Sequence, residues 1–122
     1  MTPPLSPTDA ALVRDLDAQI AECLHDDTFG VTALAHALGL SERQLRRRVR
    51  AATGEGPGTR LRRARVEAGA ALLATGAFTV ERAARRAGYV GAEGFRRACL
   101  AVLGCQPSDV LAGRVVPGET RP

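Results

Sequence analysis

Arg43, Arg46, Arg47 and Arg50 stand at relative positions i, i+3, i+4 and i+7. A guanidinium is a permanently charged planar fork that bonds phosphate oxygens, or the O6/N7 edge of guanine, in pairs. Four of them on one helical face would therefore meet a polyanion. On a wheel with Leu45 at zero, Val49 and Ala52 fall within about 40° of it, and the four arginines between about 100° and 200°. Arg48 lies apart, on the flank. Like charges at these intervals repel by roughly a few tenths of a kcal/mol per pair. That arc carries no acid to offset the repulsion, so the arrangement is expected to face an outside anion.

The rest of the composition narrows the chemistry. The chain has 122 residues, 17 basic and 13 acidic, and every basic residue is Arg. Residues 1–30 carry one Arg against six acids, a net of −5, whereas residues 40–100 carry fourteen Arg against five acids, a net of +9. A basic block of this kind suits a polyanion, because each Arg that meets a phosphate releases a condensed counterion. Phe29, Phe78, Phe95 and Tyr89 are the whole aromatic complement, too few for a base-stacking single-strand surface. His25 and His36 leave little for acid–base catalysis. Cys23, Cys99 and Cys105 have no C-x2–4-C spacing, so neither a zinc site nor a disulfide framework is expected. With no phosphate-cradling Gly loop and no Ser/His/Asp set in a supporting motif, no enzyme and no cofactor are expected. No apolar run is long enough to cross a bilayer and the N-terminus lacks an export pattern. The default expectation is a reduced, cytoplasmic, nucleoid-associated protein.

Helices must position the arginines, and the punctuation outlines them. Residues 1–6 read as a disordered end, with Ser6 as a cap. A first helix to about Leu24 carries Val13, Leu16, Ile20 and Leu24 on one stripe and acids on its outer face. A short helix from Val31 to about Ala37 stops at Gly39. Ser41-Glu42-Arg43-Gln44 forms a capping box that opens the arginine helix, closed by Gly54. Gly56-Pro57-Gly58 reads as a turn. A longer helix spans about Thr59 to Ala74, and short ones span Val80 to Ala87, the Gly91–Gly94 region to Leu103, and Pro107 to Ala112. No segment alternates with period two, so the fold class is all-α with about seven helices. The boundaries read 7–57 for a first unit, 58–76 for a linker helix, 77–112 for a second unit and 113–122 for a flexible tail.

The two units repeat. Val31, Ala35 and Gly39 match Val80, Ala84 and Gly88 at a spacing of 49, and after one inserted residue Leu45-Arg46-Arg47 matches Phe95-Arg96-Arg97. Gly54 and Pro57 match Gly104 and Pro107. Each unit is a helix, a Gly-containing turn and a second helix, the helix-turn-helix plan in which the first helix braces the second in the major groove. The second unit's outward arc holds Arg96 and Arg97, but also Glu93 in the place of Arg43 and Leu100 in that of Arg50. The first unit is therefore expected to carry most of the affinity. In the linker helix Leu61, Ala64, Ala68 and Leu72 make one apolar stripe, and Val66 and Leu73 another. Such a helix would hold the units apart for successive major grooves, about 34 Å apart. Arg60, Arg62 and Arg63 are candidate phosphate contacts, while Arg65 is as apt to make a structural ion pair.

These motifs together resemble the DNA-binding domain of the AraC/XylS family of bacterial transcription regulators. The resemblance runs from about Phe29 to Leu111. It rests on Val31-Thr32-Ala33-Leu34-Ala35, Gly39-Leu40-Ser41 and Leu45 in the first unit and on Arg65-Val66-Glu67, Leu72-Leu73 and Gly76 in the linker. In the second unit it rests on Ala83-Ala84, Gly88-Tyr89, Phe95-Arg96-Arg97 and Leu103-Gly104 through Pro107-Ser108-Asp109. It implies a seven-helix fold, binding to asymmetric double-stranded promoter DNA without a requirement for oligomerisation, and contact with RNA polymerase. Matched to the pattern, the base-reading positions are Arg43, Gln44, Arg46 and Arg47, then Ala92, Glu93, Arg96 and Arg97. Arg60, Cys99 and Leu111 stand where the family commonly has aromatics. Many relatives carry a further domain before this one, so the chain reads as a one-domain regulator or as the output piece of a longer one. The rival reading is a protein-interaction module with weakened DNA binding, suggested by the depleted second arc.

Overall fold

A computed structural model describes residues 7–113 of the protein. The expectations of a disordered start, of Ser6 as a cap and of a flexible tail beyond Gly113 lie outside those residues. Seven helices and no strand occur among the described residues: α1 (Pro7–Cys23), α2 (Val31–Ala37), α3 (Glu42–Thr53), α4 (Pro57–Ala74), α5 (Val80–Arg86), α6 (Ala92–Leu103) and α7 (Pro107–Leu111). The all-α reading holds. One start moves: α4 begins at Pro57, not Thr59, so Gly56-Pro57-Gly58 is a helix entry rather than a free turn. Proline's fixed φ and missing N–H suit the first helical turn, where the amide has no partner to lose.

The chain forms two compact units, one of residues 7–23 and 29–61, the other of 24–28 and 62–113. The linker helix is thus shared between the units, and the short segment after α1 belongs with the second. In the first unit Leu16, Leu34, Leu45 and Val49 are almost wholly buried, joined by Leu12, Ile20 and Leu61. The α1 stripe is Leu12–Leu16–Ile20; Val13, expected to lead it, is only half-buried. In the second unit α4 presents Val66, Ala70 and Leu73 to a core with Ala83, Ala84, Phe95 and Cys99. The expected Ala64–Ala68–Leu72 stripe is half-buried instead. At full burial, side chains of the size of Leu and Phe stabilise by roughly 1.5–3 kcal/mol each.

Local chemistry fixes the ends of the helices that matter most. Ser41 Oγ accepts from the Gln44 amide at 3.1 Å, and the Ser41 amide donates to Gln44 Oε1 at 3.0 Å. Gly54 closes α3 at φ +82 and Gly104 closes α6 at φ +71, the left-handed region that costs other residues roughly 1–2 kcal/mol. α5 is capped by Thr79, whose Oγ1 accepts from the Arg82 amide at 3.1 Å.

Candidate nucleic-acid interface

α3 is anchored by Leu45, Val49 and Ala52, its buried residues. With that face fixed, the opposite one must point to solvent, and Arg43, Gln44, Arg46, Arg47 and Arg50 are all exposed there. Arg48, on the flank, is half-buried. Arg46, Arg47 and Arg50 line an open cleft of about 540 Å³ with Val31 and residues 56–59 at the start of α4. No described residue forms a salt bridge with Arg43, Arg47 or Arg50.

Arg46 differs. Its Nη2 lies 3.1 Å from Glu42 Oε1, one turn earlier, with the two side chains 60% and 41% exposed. The expectation that no acid serves this face is corrected: Glu42, at the edge of the arc, reaches one of its four arginines. A pair this exposed contributes about 0.3–0.5 kcal/mol in a helix and is screened by salt, so a phosphate or a guanine edge can displace it. Gln44 is also engaged, since its Oε1 accepts the Ser41 amide. The amide NH2 remains available, but paired bonds to adenine need both ends.

In the second unit Phe95, Ala98 and Cys99 bury one face of α6. Arg96, Arg97 and Glu93 are exposed on the other, with Leu100 49% exposed among them. The structure therefore leaves Arg43, Gln44, Arg46, Arg47 and Arg50 of α3 and Glu93, Arg96 and Arg97 of α6 exposed on the side away from the buried seam of their own unit, whereas Ala92, at the start of α6, is half-buried. Burial pushes the Cys99 thiol up to about 12, helped by nearby Cys105, which keeps it protonated and inert. Among the described residues no group of three or more His, Cys, Asp or Glu side chains could hold a metal ion. No described helix is long and apolar enough to cross a membrane.

The α4 arginines do not behave alike. Arg60 Nη2 sits 2.8 Å from both carboxylate oxygens of Asp17, its Nε lies 3.2 Å from Asp17 Oδ1, and its Nη1 lies 3.3 Å from Glu55 Oε1. With its side chain only 21% exposed, Arg60 is a clamp within the first unit. This corrects the expectation of phosphate contact at that position. Arg62 and Arg63 are exposed. Arg65 donates through Nε to the Leu24 carbonyl at 2.9 Å and through Nη2 to the Asp26 carbonyl at 2.8 Å. It satisfies two carbonyls of the segment that follows α1, a structural role by way of carbonyls. Burial lowers the Arg65 pKa from its ordinary value, opposed by Tyr89, Asp26 and Asp27.

One basic group escaped the sequence reading. Arg82, Arg85 and Arg86 are exposed on α5, the brace helix of the second unit. Arg82 and Arg86 lie over the Phe78 ring, 5.3 and 5.6 Å from its centroid. Three arginines within the seven residues of α5 are the signal in the sequence that marks this group.

Comparison with known proteins identifies the family and the fold. The family described as "Helix-turn-helix domain" matches residues 34–113. The DNA-binding domain of AdpA, a global transcriptional factor crystallised in complex with a target DNA, is 30% identical with a TM-score of 0.74, over 84% of this chain and 90% of that one. The chain belongs to this helix-turn-helix family, of the AraC/XylS type. Two further structures share the fold alone. The C-terminal domain of AraT, a response regulator from Geobacillus stearothermophilus, has a TM-score of 0.75 at 23% identity, over 98% of this chain and 95% of that one. The C-terminal domain of the two-component response regulator yesN from Fusobacterium nucleatum has a TM-score of 0.74 at 21% identity, over 79% and 93%. No curated protein matches the chain.

Proposed function

We propose that this protein is a sequence-specific regulator of transcription that binds double-stranded promoter DNA, with α3 entering the major groove as its principal reader. The observation that carries the reading is the outward face of α3, where Arg43, Arg46, Arg47 and Arg50 are exposed opposite a buried Leu45–Val49 seam. Arg46 and Arg47 are assigned to base edges, and Arg43 and Arg50 to bases or flanking phosphates. Arg62, Arg63, Arg96 and Arg97 add phosphate contacts, while Glu93 contributes little or opposes them. The AdpA domain, bound to its target DNA, supports the same use of the fold. A catalytic role has no support in the site. Contact with RNA polymerase, DNA binding as a single copy and a cytoplasmic, nucleoid-associated location belong to the same proposal.

The test is a salt titration on duplex DNA. Log affinity is expected to fall linearly with log salt, by about 0.9 per phosphate neutralised. No binding at low salt would overturn the proposal and favour the rival, a protein-interaction module, for which the exposed Leu100 on the same face of α6 as Glu93 is the specific feature.

A further inference from the structure

The second unit holds an open cleft of about 730 Å³ lined by His25, Leu72, Arg82, Arg85 and Arg86. No α6 residue lines it, so it is separate from the candidate base-reading arc. Its volume falls within the usual range of small-molecule sites, and its lining is cationic with one apolar wall. We propose that this cleft binds a phosphate ester, with Arg82 and Arg86 gripping the phosphate oxygens.

Three observations carry this. Arg82 with Arg85, and Arg82 with Arg86, stand at i, i+3 and i, i+4, where like charges repel on a helix. The repeat supplies an internal control. The matching positions of α2 are Ala33, His36 and Ala37, so a brace helix at this place forms without arginines, and their presence on α5 answers some other demand. The Phe78 ring supports Arg82 and Arg86 from one side, at 5.3 and 5.6 Å. A guanidinium resting on a ring keeps its N–H edge for an oxyanion, and the planar fork matches two phosphate oxygens. Arg85 is held at 3.3 Å by Glu81, both side chains about two-thirds exposed. A dianion can outcompete that single exposed carboxylate. His25 supplies a further ring N–H, and Leu72 gives an organic ester an apolar surface to lie on.

The phosphate can come from a free phosphorylated metabolite or from the DNA backbone, and one experiment separates them. Tripolyphosphate is titrated into the full chain at low ionic strength while amide resonances are followed by NMR. Amides of residues 82–86 and of His25 are expected to shift saturably, and Arg82→Ala with Arg86→Ala to weaken that response by about tenfold or more. Arg96→Ala with Arg97→Ala, an equal loss of charge, should leave the α5 response within about twofold. Displacement of tripolyphosphate by saturating duplex assigns the site to a DNA phosphodiester; simultaneous binding assigns it to a free phosphate ester. Unmoved α5 amides, a shift that never saturates, or equal weakening in both double variants would overturn the proposal. Circular dichroism of each variant confirms that the fold is kept.

Discussion

In the first unit five arginines crowd the second helix, α3, and none lies on α2; in the second unit three lie on the first helix, α5, and two on α6. The number is the same, but in the second unit it is divided between the two helices. The buried seams are closely matched: Leu45 and Val49 answer to Phe95 and Cys99, each at most 1% exposed. Core positions answer to one packing problem and stay alike between the repeats. Surface charges are outside that constraint, so each unit is free to aim them differently. One helix-turn-helix body therefore carries its arginines on the second helix alone, and its twin on both helices.

The sharpest way to break this contrast is to strip matched pairs of arginines. Arg46→Ala with Arg47→Ala is expected to cost about 2–6 kcal/mol of duplex affinity, at about 1–3 kcal/mol for each good base contact. Arg96→Ala with Arg97→Ala should cost under about 2 kcal/mol if those side chains meet only phosphates. Equal losses in a gel-shift titration would mean that the units share the reading.

The turn glycines come next. Gly39 and Gly88 occupy the same repeat position with φ +71 and +92. A Cβ at Gly39 would meet nothing within 4 Å, whereas at Gly88 it would run into the Leu24 carbonyl and the Arg65 guanidinium. Gly39→Ala is expected to cost about 1–2 kcal/mol, from backbone strain alone. Gly88→Ala adds overpacking against fixed backbone and should cost about 3 kcal/mol or more. Urea denaturation of both variants measures the difference.

A third comparison concerns the larger seam residue of the second unit. A Cβ at Gly69 would lie 2.5 and 2.6 Å from two atoms of the Phe95 ring. Gly69→Ala should therefore destabilise by about 1–3 kcal/mol. Phe95→Leu, which installs the first unit's residue, should recover part of that loss, giving a coupling of about 1 kcal/mol in a double-mutant cycle. Strict additivity would mean that the two residues do not share the space.

Cys99, raised to about 12 by burial, should resist alkylation at neutral pH in the native protein and react on unfolding, because only the thiolate attacks. Mass spectrometry after iodoacetamide treatment reads this directly. The smallest effect is expected at Glu93: its replacement by Ala should leave DNA affinity unchanged or slightly tighter. A loss above about 1 kcal/mol would mean that Glu93 accepts a hydrogen bond from a cytosine amino group.

Much of the fold was legible in the chain because its signals are local. The Ser41–Gln44 box, the left-handed glycines and the spacing of Leu45 and Val49 each act within one or two turns. The outward arc of α3 followed from the same periodicity. What escaped depends on distant partners. Nothing near Arg60 in sequence announces Asp17, 43 residues away, as the acid that holds it. Arg65 likewise reaches the Leu24 carbonyl across 41 residues. Glu42 was a nearer miss, at the edge of the arc and one turn from Arg46. On α4 the burial of Val66, Ala70 and Leu73 over Ala64 and Ala68 depended on what packs there, since small residues on either stripe read alike.

The sequence by itself determined the seven helices found among the described residues, that they repeat, and which side of each recognition helix looks outward. Those properties follow from periodicity and caps, which a residue shares only with its near neighbours. Only the tertiary structure decided which arginines are spent inside the protein and which are left for a ligand. A guanidinium commits to whichever oxygen the folded chain brings within about 3 Å, and that distance exists only once remote segments have met.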